Sequence, residues 1–151
     1  MIADGITAAR STGSTFLLPF YLPYLAHAHA ELRQFNQASC CISEAMTAVE
    51  TTKEKWCEAE IHRIAGEITL MSPEPNAAKA QAHFERALAV ACDQKAKSWE
   101  LRAAMSMAIF WLHQGQRQQA RDLLAPIYDS FTEGFDTPDL KDAKALLDEL
   151  T

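Results

Sequence analysis

The stretches KWCEAEIHRIAG (residues 55–66) and SWELRAAMSMAI (residues 98–109) decide how this chain is read. Each places a tryptophan directly after a Lys or Ser and then runs into an alanine-rich, apolar helical pattern. Trp56 and Trp99 stand 43 residues apart. If the two stretches are one structural unit written twice, the flanking sequence must repeat at the same interval. It does. Ala80, Phe84, Ala87, Leu88 and Ala91 form a single helical face; Ala38, Ile42, Ala45, Met46 and Val49 repeat it 42 residues earlier, and Ala120, Leu124, Ile127 and Tyr128 repeat it 40 residues later.

Each of these three faces follows another helical segment and a short polar turn. The leading segments cover 24–32, 56–70 and 99–112. The turns run through LRQFNQA (32–38), MSPEPNAAKA (71–80) and HQGQRQQA (113–120). The middle connector is longer; its two prolines bar a continuous helix, and Asn76 is placed to cap the next one. The expected architecture is all-α, an α-solenoid of about three helix-turn-helix hairpins with approximate units 14–50, 54–94 and 98–131. One such hairpin cannot bury its apolar face alone, so the units must stack.

The third slot at the tryptophan spacing holds no tryptophan. FDTPDLKDAKALLDEL (135–150) instead offers a helix start, with Thr137 as N-cap, Pro138 at the first helical position and Asp139 against the helix dipole. Leu140, Ala143, Leu147 and Leu150 form one stripe, so a capping helix over 138–150 is expected to close the stack. At the other end, DGITAARSTGS (4–14) reads as the tail of a helix broken by Gly13. That end looks uncapped, which points to a longer native chain or to a homodimer formed through it, with simple fraying as the plain alternative.

Composition narrows the function classes. The 151 residues suffice for one domain and its core, and 48% of them are apolar. The formal net charge of −6 leaves no basic footprint for displacing counterions, so neither nucleic acid nor an anionic membrane surface is an expected partner. FLLPFYLPYLA (16–26) is too short to span a bilayer and is interrupted by Pro19 and Pro23. Cytoplasm is the default compartment. Cys40, Cys41, Cys57 and Cys92 lack metal-ligand spacing and read as reduced, buried or half-buried thiols.

Candidate chemistry is sparse. His27 and His29 are about 200° apart on a helix and cannot readily share a metal, while His62, His83 and His113 sit on separate segments. Glu58 and His62 make an i,i+4 pair. No nucleophile motif is present, and no cofactor is called for, so the chain is not read as an enzyme. Trp56, Trp99 and Trp111 ride the apolar periodicity and read as packing residues. Aligning Ala26, Ala65 and Ala108 as small crossing positions directs Phe20, His27, Glu31, His62, Thr69, Arg102, Met105 and His113 toward one concave face, which suits a peptide or a partner's helix.

Phe35 with Ala38, Gly115 with Ala120, and Ala80 with Phe84 carry a resemblance to the tetratricopeptide repeat family. Arg33, Arg117, Ile42 and Leu124 depart from its pattern, and the units exceed 34 residues. Segments 8–31, 55–67, 83–104 and 123–150 look like the C-terminal repeat region of large bacterial signalling proteins. In that group a nucleotide cyclase or DNA-binding domain is joined to a predicted ATPase. This chain contains no GxxxxGK[ST] phosphate loop. The resemblance implies a regulatory, protein-binding tail or a free-standing relative of it. The alternatives are a small-molecule sensor and a homo-oligomerisation scaffold.

Overall fold

Helix boundaries follow from where the backbone can end a turn. In a computed structural model, which describes residues 2–13 and 16–151, there are eight helices and no strand among the described residues. They are α1 (Ile2–Ser11), α2 (Leu18–Glu31), α3 (Phe35–Thr52), α4 (Glu58–Met71), α5 (Ala77–Asp93), α6 (Lys97–His113), α7 (Arg117–Asp129) and α8 (Pro138–Glu149). The protein is all-α. The expected start of the first unit at residue 14 lies outside the described residues.

Three turns are built alike. After α2, α5 and α6, one residue adopts a left-handed conformation: Arg33 (φ 60°), Lys95 (φ 53°) and Gly115 (φ 77°). Its N–H donates three residues back, to Ala30, Cys92 or Leu112. The next N–H donates five back, to His29, Ala91 or Trp111. This is the Schellman arrangement, which satisfies carbonyls that a helix end leaves open. Asn76 caps α5 as the sequence suggests, its Oδ1 accepting from the Lys79 N–H at 2.8 Å.

Two local expectations need correction. α2 starts six residues earlier than the sequence pattern indicates. Pro19 falls in the first turn, where a missing N–H costs nothing, and Pro23 is tolerated inside the helix as a fully buried packing residue. Thr137 occupies the N-cap position of α8 with an extended backbone, but its hydroxyl donates to the Gly134 carbonyl at 2.6 Å and caps nothing.

Packing follows chain order. α2 packs along α3, α4 along α5 and α6 along α7; the leading helices α2, α4, α6 and α8 also contact one another in sequence. α3 meets α4, α5 meets α6 and α7 meets α8. Ala38, Ala45, Val49, Ala80, Phe84, Ala87, Ala91, Ala120 and Leu124, all from the repeated faces, are buried. Small residues let helices approach. Gly66 is the extreme case: a Cβ there would lie 2.6 Å from the Phe84 ring.

α8 and its C-cap residue Leu150 bury Leu140, Ala143, Leu146 and Leu150 against Leu101, Ala104, Ala108, Ala120 and Leu124. Leu146 therefore joins the expected stripe, and Leu147 is only partly buried. The N-terminal end is less bare than the sequence suggests, because α1 packs on α2 and buries Ile6 with Leu18 and Leu22. Phe16, Leu17 and Tyr21 nonetheless stay exposed. Cys57 is buried, which pushes its thiol up to about 11, whereas Cys40 and Cys92 are exposed, contrary to expectation. All four cysteines are free.

Candidate functional site

The row α2–α4–α6–α8 converges on one carboxylate. Glu60 of α4 is 2% exposed, and both of its oxygens are engaged. The Arg63 guanidinium grips it from one turn on, donating from Nε to Oε2 at 2.8 Å and from Nη2 to Oε1 at 2.7 Å. From α6, Arg102 Nη1 donates to Oε1 at 3.0 Å; from α2, the Tyr24 hydroxyl donates to the same oxygen at 3.1 Å.

The network extends along α4 because Glu60, Arg63 and Glu67 repeat at three and four residues, on one helical face. Arg63 Nη1 donates to Glu67 Oε1 at 2.6 Å, and the buried Ser106 hydroxyl donates to that oxygen at 2.8 Å. Arg102 also lies 3.5 Å from Asp139 of α8 and stacks over the Trp99 ring. Four helices are thereby tied by side chains around a buried charge. No buried side-chain nitrogen or oxygen among the described residues lacks a hydrogen-bond partner.

The electrostatics keep both arginines charged. Burial disfavours the Arg63 charge, but the hydrogen bond and charge of Glu60, reinforced by Glu67, outweigh it and raise its pKa. Arg102 is raised in the same way, burial again being overcome by Glu60 and Tyr24. Burial and the Glu60 charge raise Tyr24, with Arg102 opposing. A carboxylate held by two arginines is occupied as an acceptor, so this arrangement favours rigidity over proton transfer.

Shallow concavities line the row on either side of the cluster. One is bordered by Tyr24, His27, Glu31, Arg63 and Glu67; the next by Arg63, Glu67, Arg102, Met105, Ile109 and Asp139. A third is lined by Met105, Ile109, Leu112 and Leu146 and by His113, Asp142 and Glu149. Met105 and Ile109 border both the second and the third, so these two are continuous. Ile109 is 43% exposed.

Of the residues expected on one face, five border this row: His27, Glu31, Arg102, Met105 and His113. His27 lies 3.5 Å from Glu31 and 3.7 Å from Glu67, while His29 turns away to Gln34, so the two histidines have separate partners. Phe20 does not line it; the ring stacks on Trp56 at 5.4 Å within the α2–α4 packing. Trp56, Trp99 and Trp111 all pack against core clusters.

His62 and Thr69 also lie elsewhere. His62 faces α5, its Nδ1 3.4 Å from that of His83. Burial, aided by His83, pushes its pKa down to about 4, so the imidazole is neutral at pH 7 and the expected pair with Glu58 is not an ion pair. Glu58 instead meets Arg86 at 3.1 Å. Thr69 donates to the Ala65 carbonyl and borders a different cleft, between α3, α4 and α5, with Phe35, Ile42, Asn76, Lys79 and His83.

Sequence reasoning missed Glu60, Arg63, Glu67, Tyr24, Ser106, Asp139, Asp142, Glu149 and Ile109. The Glu60–Arg63–Glu67 spacing was a readable signal of one charged face. Its burial was not readable, because that depends on α2 and α6 closing over it. Among the described residues no group of three or more His, Cys, Asp or Glu side chains converges as metal ligands, and no helix is long and apolar enough to cross a membrane. No protein-family model, curated protein or solved structure matches the chain at a significant level.

Proposed function

We propose that the chain is a non-catalytic docking module: a tetratricopeptide-like α-solenoid of three helical hairpins and a capping helix that holds a peptide or partner segment along the α2–α4–α6–α8 face. The observation that carries this reading is the combination of exposed Ile109 and partly buried Met105 in a continuous groove with a rigid, hydrogen-bonded charge cluster beside them. An apolar strip bordered by polar groups is the usual anatomy of a recognition surface. The order of helix contacts supports the solenoid reading, since each pair packs its backbone only against its neighbours in sequence, the Arg102–Tyr24 side-chain hydrogen bond reaching one pair farther. The resemblance noted above extends the proposal: the module serves as the tail, or a relative of the tail, of a bacterial signalling ATPase or cyclase, acting in the cytoplasm.

Affinity capture from extract of the source cell tests it, using the wild-type chain, Ile109→Asp, and Ala89→Asp on an exposed site of α5. The module reading expects a partner retained by the wild type and Ala89→Asp and lost with Ile109→Asp. Identical retention by all three overturns it.

A small-molecule sensor is the second reading. The cleft between α3, α4 and α5, where Thr69 and His83 meet Phe35 and Ile42, is the observation that favours it. A thermal shift of several degrees with one metabolite, abolished by Thr69→Val, would support this reading over the first.

A further inference from the structure

The groove between α6 and α8 is lined by apolar Met105, Ile109, Leu112 and Leu146 and by polar His113, Asp142 and Glu149. No Lys or Arg lines it. Among the described residues neither Asp142 nor Glu149 takes part in an ion pair; on α8, the pairs are Asp139 with Arg102 and Lys144 with Asp148. Arg117 comes close, but it donates to the Glu149 carbonyl oxygen.

The adjoining groove contains the only two arginines on this lining, and both are committed. Arg63 is held by Glu60 and Glu67, and Arg102 by Glu60, Tyr24 and Asp139. Farther along, Glu31 and Glu67 border the α2 end. Along its whole length, then, the lining has two engaged guanidiniums and the imidazoles of His27 and His113 against five carboxylates (Glu31, Glu67, Asp139, Asp142 and Glu149), with Glu60 buried beneath.

Resting on the docking reading above, we infer that the occupant is a protein segment in which Lys or Arg alternates with apolar residues. An acidic or phosphorylated segment would meet unpaired carboxylates and no uncommitted Lys or Arg on the lining, which costs affinity and suppresses such partners. A basic segment gains twice. Its long aliphatic stems cover Met105, Ile109 and Leu112, while its charged heads reach Asp142 and Glu149. The excess of acid also speeds encounter with a cationic partner, and that contribution falls with salt.

Selection of a randomised peptide library displayed on phage, against the full chain at low salt, tests this inference. The expected result is enrichment of peptides with Lys and Arg in excess of the library's composition, flanking apolar residues. Their binding falls roughly threefold to tenfold on Asp142→Lys or Glu149→Lys and changes less than about twofold on the remote reversal Glu85→Lys. Peptides lost on Ile109→Asp but showing no excess of Lys and Arg would overturn the cationic partner and leave docking intact. Absence of any peptide whose binding depends on Ile109 would overturn both.

Discussion

Arg33 and Lys95 occupy a backbone conformation that L side chains visit at a cost, and Gly115 occupies the equivalent turn without that cost. Replacing Arg33 or Lys95 by Gly is expected to raise stability by about 0.5–1 kcal/mol, while Gly115→Ala lowers it by about 1 kcal/mol, read from urea unfolding midpoints. Gly115 was legible as a turn residue in the sequence. Lys95 was not, because nothing in a lysine's chemistry announces a left-handed φ; only the hydrogen bonds around it do. The His62–His83 contact was illegible for a similar reason, since two histidines 21 positions apart give no local signal.

His62 also yields a pH prediction. Burial, chiefly, lowers its folded pKa from 6.5 to about 4, and burial with Lys79 nearby lowers His83 as well. The unfolded chain therefore takes up a proton before the folded one does. Stability is fully present above pH 6.5 and declines as the pH falls toward 4, by roughly 3 kcal/mol for His62 alone. Denaturant midpoints measured across that window should drop for the wild type and drop less for His62→Gln. A His62→Gln protein with an equally steep decline would contradict the assignment.

At the scale of the element, α4 supplies the pivot. Ile61, Ile64 and Ile68 are buried, while Glu60, Arg63 and Glu67 form the charged cluster toward α2 and α6. Removing one partner of a buried ion pair leaves the other desolvated and uncompensated, so Glu60→Gln should cost about 3 kcal/mol in unfolding free energy. A cost below about 0.5 kcal/mol would mean that the cluster is solvated and does not fix the helices. The apolar periodicity made α3, α5 and α7 readable in outline, because their stripes bury against neighbours almost residue for residue. The start of α2 was misread, since Pro19 and Pro23 look like breaks until the helix is seen to place one in its first turn and bury both.

For the whole molecule, sequence alone conveyed the all-α class, since that rests on periodicity and on turn chemistry. It also put His27, Glu31, Arg102, Met105 and His113 among the candidates that border one row. It failed for Phe20, His62 and Thr69, whose directions depend on how each helix is rotated against its neighbours, a quantity that a crossing-residue alignment fixes only coarsely. Phe16, Leu17 and Tyr21, around the start of α2, are exposed apolar side chains. If these side chains pair two copies, light scattering will show a dimer at high concentration that Tyr21→Lys abolishes.

The docking claim is tested most directly by a photo-crosslinking residue placed at position 109, compared with one at position 89. A crosslinked partner is expected from position 109 and none from position 89, with the adduct reduced by Met105→Glu. Crosslinks of equal yield from both positions, or from position 89 alone, would contradict it.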